Sequence, residues 1–192
     1  MSSGVLPIPG IVLGAYPERT AAPRDAVAAA LKTLRALIPA PKPRRYAQLV
    51  GEVEAREATL AALDTAALEK RVQDTRAALA RHGLRDDLIA ECFALIRQTC
   101  VRVLGIELYS TQLLAARVML GSRLAEMATG EGKTLAAGLC AATAALAGIP
   151  VHVVTANDYL VERDARTLGA LYRALGLTVA PVVQQTAPAA RR

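Results

Sequence analysis

The sequence predicts an α/β protein: a helical amino-terminal region, then the first part of a parallel sheet in the order β-α-β-α-β, incomplete at its carboxyl end. Three observations predict it. The stretch Ala125-Glu126-Met127-Ala128-Thr129-Gly130-Glu131-Gly132-Lys133-Thr134 reads as a phosphate-binding loop between a strand and a helix. Val151 to Thr155 is a run rich in β-branched residues with no alternation of polarity, which fits a strand buried on both faces. Upstream, apolar residues recur at helical spacing through several successive segments. The organisation read from this is a lead-in with a short helix over 1–43, a helical region over 44–104 and a partial phosphate-loop domain over 105–192.

Residues 1–22 are rich in Pro, Gly and Ser/Thr and read as irregular. Pro23 opens a short helix with Val27, Leu31, Leu34 and Ile38 on one stripe, ended by Pro39, Pro41 and Pro43. Lys42, Arg44 and Arg45 make the joint basic, a solvated linker or a contact for phosphate or lipid. A longer helix runs from Tyr46 to about Ala62, with Leu49, Val53, Leu60 and Leu63 on one face. Asp64 or Thr65 caps the next, which carries Leu68, Val72 and Leu79 to Arg81 and stops at His82-Gly83. A third begins near Asp86 or Asp87, and its broad apolar face predicts deep burial.

Gly105 breaks that pattern. A short helix then carries Leu113, Leu114 and Val118. Arg123 to Met127 is read as the strand entering the loop, and Lys133 to Ala147 as the helix leaving it, ended by Gly148. Val151 to Thr155 follows as the second strand. Asn157 or Asp158 caps a helix to Leu175, Gly176 stops it, and Leu177 to Val183 is the third strand. The tail from Gln184 to Arg192 is polar and basic.

Bulk properties bound the chemistry. The 192 residues are 53% hydrophobic but only 3% aromatic, with much alanine, so helices packed through small side chains are expected. The formal charge of +6 is spread among acidic residues and describes either a solvated basic surface or attraction to an acidic partner. Cys92, Cys100 and Cys140 are odd in number and have no C-x-x-C spacing, which argues against a disulfide framework and a zinc site and for buried free thiols. His82 and His152 stand alone, His152 within the second expected strand. No secretory signal is visible, and the uncharged stretch from Thr134 to Asn157 is interrupted by Gly148 and Pro150, so a cytoplasmic protein is expected.

The loop carries the chemistry. Thr129, Gly130, Glu131 and Gly132 let backbone N–H groups converge on an anion, Lys133 supplies a point charge for β/γ-phosphates, and Thr134 offers a hydroxyl to Mg²⁺. The following helix turns its positive end to the same place. Met127 stands where the general pattern has its first glycine. A glycine turn that merely caps a helix is the alternative.

The motifs AEM-x-TGEGKT, over Ala125 to Thr134, and VHVVT-x-NDYL-x-x-RDA, over Val151 to Ala165, resemble the first nucleotide-binding segment of SecA, the preprotein translocase motor ATPase. Leu104-Gly105 followed by Gln112-Leu113-Leu114 is similar to that family's adenine-recognition segment, and the likeness covers about 45–183. It explains Met127; Ala128 departs from it, since the family usually has Arg there. The resemblance implies a RecA-like sheet, ATP with Mg²⁺ as ligands, adenine recognition by Gln112, and an aromatic near the base at Tyr109, for which a surface tyrosine in a turn is the alternative. It implies helix capping by Asn157-Asp158 and internal coupling through Arg163-Asp164, each with a purely structural role as the other reading. Its implied partners are the membrane protein-conducting channel, unfolded preproteins and acidic lipids, with a homodimer in full-length form, location at the cytoplasmic face of the cell membrane, and no specific nucleic acid.

Hydrolysis needs carboxylates for Mg²⁺ and for the attacking water, and the family's DEVD-like segment has no counterpart after Thr134. Asp158 and Asp164 come too early for it. The chain therefore reads as the amino-terminal portion of a motor, not hydrolytically active alone. The other readings are a fragment of a DEAD-like helicase and a non-hydrolysing module that binds nucleotide or a partner.

Overall fold

The computed structural model describes residues 43–187, and side chains from Tyr46. The expected helix after Pro23, the charges of Lys42, Arg44 and Arg45, and the end of the basic tail lie outside the described residues and side chains. Six helices follow in order: α1 (Pro43–Ala61), α2 (Thr65–His82), α3 (Asp86–Leu104), α4 (Ser110–Leu120), α5 (Lys133–Leu146) and α6 (Asp158–Ala174).

Several begin or end for a local reason. Asp64 caps α2, its Oδ1 accepting the Ala67 N–H at 2.7 Å. Asn157 caps α6 in the same way, through the Leu160 N–H at 2.9 Å. Asp86 and Asp87 place negative charge in the first turn of α3, and Gly105 closes that helix in the left-handed region at φ 65°. The carbonyl end of α1 is finished by a distant side chain: Arg102 Nη2 donates to the carbonyls of Leu60, Ala61 and Leu63 at 3.1, 3.2 and 2.7 Å.

Helix α3 is the centre of the described residues. Ile89, Cys92, Phe93, Leu95, Ile96 and Cys100 are all buried, and α1, α2, α5 and α6 pack around it. Its breadth of apolar surface dictates that position, because one exposed flank would leave several of these side chains in water at a cost of about 1.5–3 kcal/mol each. The buried cluster continues through Leu113, Leu139, Leu168 and Leu175. Polar ties fix the approach of the outer helices. Glu91 accepts from Arg56 of α1 at 3.1 Å and from Arg71 of α2 at 2.7 Å, and Arg97 bridges Glu57 and Glu107. Cys92 and Cys100 are buried free thiols, whereas Cys140 is half-buried.

The parallel sheet is not formed. Among the described residues there is no strand: 123–127, 151–155 and 177–183 run between helices without a ladder of backbone hydrogen bonds. The α/β expectation, the RecA-like β-α-β-α-β order and the strand placement of His152 are corrected accordingly, and the architecture is helical. Side-chain exposure gives the physical reason. A parallel strand is stable when layers cover both faces, yet Leu124 is 94% and Val154 90% exposed, and Val153 is half in solvent. The β-branched run suits an extended backbone, but that preference does not supply a neighbouring strand. The helices bury their apolar faces against one another instead, α1, α2, α5 and α6 against α3 and α4 against α5 and α1.

No helix among the described residues is long and apolar enough to cross a membrane. The uncharged stretch from Thr134 divides at Gly148 (φ 82°) into α5 and the segment that follows it.

Candidate phosphate-binding site

The loop 128–132 leads directly into α5. Gly130 has φ 92° and Gly132 φ 79°, conformations that a side chain would strain, so glycine is required at both positions. Gly132 is the residue before α5, and no side chain caps that helix. The loop's internal backbone bond, Glu131 N–H to Ala128 O, is long at 3.4 Å. Leu135 and Ala136 both donate to Gly132 O. Among the described residues, the N–H groups of Gly130, Gly132, Lys133 and Thr134 find no protein acceptor. Four donors without acceptors at a helix's positive end favour an anion.

Lys133, the first residue of α5, donates from Nζ to Ala128 O at 2.8 Å and so ties the end of the loop back to its start. Its ammonium is exposed, as are Thr129, Gly130 and Glu131, and Thr134 is half-buried beside it. The residues read from the sequence as phosphate ligands, Thr129 to Thr134, thus occupy one loop and one helix start.

Gln112 stands against that loop, and Tyr109 is tied to it through Gln112. Tyr109 precedes α4 and is 63% exposed. Gln112 is buried in the first turn. Its Oε1 accepts the Tyr109 N–H at 3.0 Å and its Nε2 donates to Glu131 O at 3.1 Å. A Cβ on Gly132 would lie 2.4 Å from Nε2, so the glycine also makes room for this amide. The sequence reading assigned Gln112 to the base and missed its bond to the loop. Its place three residues after Tyr109 signals only the reach back to the N-cap N–H; nothing local signals the bond to Glu131.

A cleft of about 700 Å³ opens beside the loop, lined by Lys133, Thr134, Thr155, Asp158 and Asp164 among others. Its two carboxylates already have partners. Asp158 accepts the Gln184 N–H at 3.0 Å, a tie the sequence did not suggest. Asp164 pairs with Arg163, its neighbour in the chain, at 2.7 Å. Tyr172 also lines the cleft, and its phenol is pushed up to about 12 by burial, then by the charge of Asp164 and by Cys140.

Comparison with known proteins agrees with the motifs. Residues 35–192 match the family model for the SecA DEAD-like domain. The chain belongs to the SecA family. Over 149 residues it is 46% identical to protein translocase subunit SecA 2 of Nitrosospira multiformis, covering 78% of this chain and 22% of that protein. It is 49% identical over 148 residues to SecA 2 of Bordetella avium, covering 77% of this chain and 22% of the relative. The SecA of Acidiphilium cryptum is 44% identical over 149 residues, with 78% and 16% covered. This SecA-family chain therefore spans about a fifth of the length of the first two relatives.

Proposed function

We propose that this SecA-family chain is a nucleotide-binding portion of a protein-translocating motor, taking ATP with Mg²⁺ at the loop 128–134. The observation that carries the reading is the set of partnerless N–H groups at Gly130, Gly132, Lys133 and Thr134, gathered at the uncapped start of α5 beside an exposed ammonium. Those groups fit phosphate oxygens, because each donor gains an acceptor and the helix end favours negative charge. Lys133 would exchange the Ala128 carbonyl for a phosphate oxygen, a charge-assisted bond stronger than the one it gives up. Thr134 offers its hydroxyl to a phosphate-bound Mg²⁺, and that cation would neutralise charge between phosphates. Gln112, bonded to the Glu131 carbonyl, and Tyr109, bonded to Gln112, are the residues proposed to face the base.

The chain is proposed to bind ATP without hydrolysing it alone. Asp158 and Asp164, the carboxylates of the adjoining cleft, are held by the Gln184 N–H and by Arg163. In the whole motor, ATP hydrolysis would be coupled to preprotein export, with the membrane channel, unfolded preproteins and acidic lipids as partners at the cytoplasmic face of the membrane. The names of the relatives support the export role.

Titration calorimetry with Mg²⁺-ATP tests the reading. The unaltered chain binds, and Lys133→Ala weakens binding by about 2–3 kcal/mol, roughly a hundredfold, as expected for loss of a hydrogen bond to a charged group. Equal affinity in both proteins would remove the assignment.

A further inference from the structure

Gln112 is 4% exposed and ties the chain entering α4 to the loop entering α5. On one side it accepts from the Tyr109 N–H at 3.0 Å, and on the other it donates to Glu131 O at 3.1 Å. A carboxamide has two N–H donors and two lone pairs, so one of each is used within the protein. The grip falls where the loop is least constrained. Glu131 lies between two glycines of positive φ, and its own N–H makes only the 3.4 Å bond to Ala128 O. Glycine-flanked peptides deform cheaply. Gly132 is also packed against the amide, with a Cβ there excluded at 2.4 Å from Nε2.

We infer that Gln112 is a positioning residue for the phosphate loop: by holding the Glu131 carbonyl it keeps the loop's N–H donors in one arrangement, independently of any contact with a base. The inference rests on the phosphate-loop reading above. An anchored loop loses less conformational freedom when it binds an anion, and so binds more tightly.

The probe that separates this role from base reading is inorganic tripolyphosphate with Mg²⁺, which has phosphates and no base. Gln112→Ala lowers its affinity roughly fivefold, the worth of one ordinary hydrogen bond. The same substitution lowers the ¹⁵N order parameters of Gly130, Glu131 and Gly132 in the protein without ligand. Gln112→Glu separates the two bonds. It keeps an acceptor for the Tyr109 N–H, so exchange of that amide stays slow, but it has no donor for Glu131 O and loosens the loop as alanine does. Tripolyphosphate affinity and loop order unchanged in both variants, with only ATP affinity reduced, would overturn the inference and leave Gln112 as a reader of the base. If the unaltered chain binds no tripolyphosphate, the nucleotide reading falls instead. The order parameters then decide alone, and unchanged values at 130–132 overturn the positioning role.

Discussion

Single side chains in this protein act mostly by completing backbone groups. Asp64 and Asn157 each satisfy a donor at a helix start, and replacing either with alanine should cost about 1 kcal/mol in urea unfolding. Cys92 acts differently. Burial pushes its thiol up to about 12, and burial also pushes the Tyr172 phenol up to about 12. Both groups keep their protons in the folded protein after the unfolded chain has lost them. The unfolded state then binds fewer protons, so stability falls as pH rises. The fall begins near the ordinary thiol and phenol values and ends near 12. Each group adds a slope on the order of 1.4 kcal/mol per pH unit within its window. Urea titrations from pH 8 to 11 should show this decline, and Cys92→Ala should make it shallower. The same burial keeps Cys92 unreactive toward thiol reagents until the protein unfolds.

Helices were legible in the sequence because their evidence is local. Leu68, Val72 and Leu79 declare one face of α2, and Asp64 and Gly83 bracket it. The broad apolar run of α3 announced its deep burial. The expected strands were not legible in the same way. Val151 to Thr155 shows that a segment suits an extended backbone, whereas a sheet needs a partner and covering layers that no short stretch encodes. The site divides along the same line. That a glycine turn from Thr129 to Gly132 leads into a helix was readable from its glycines, but the bond from Gln112 to Glu131 joins elements nineteen residues apart and has no local signature. The ties between helices were hidden for the same reason. Glu91 alone connects α3 to Arg56 of α1 and Arg71 of α2 while remaining largely buried. Glu91→Ala should therefore lower stability by about 1–3 kcal/mol in chemical denaturation, more than a surface ion pair is worth.

At the scale of the described molecule, one buried cluster centred on α3 holds the described helices together, and the loop 128–132 is mounted on it through α5. Leu139 and Leu146 of α5 are buried in that cluster, while Lys133 and Thr134 lie at the helix's other end, beside the loop. Phe93, in α3, is the largest fully buried side chain among the described residues. Phe93→Ala should cost about 3–5 kcal/mol and lower the urea midpoint, as expected for a large cavity in a packed interior. The central claim is that the loop binds nucleotide phosphate through its own backbone. ¹H–¹⁵N shift mapping with Mg²⁺-ATP tests it most directly. The predicted result is that the largest shifts fall on the N–H groups of Gly130, Gly132, Lys133 and Thr134, and that Lys133→Ala diminishes them. Saturable shifts centred elsewhere, with these four amides unmoved, would contradict it.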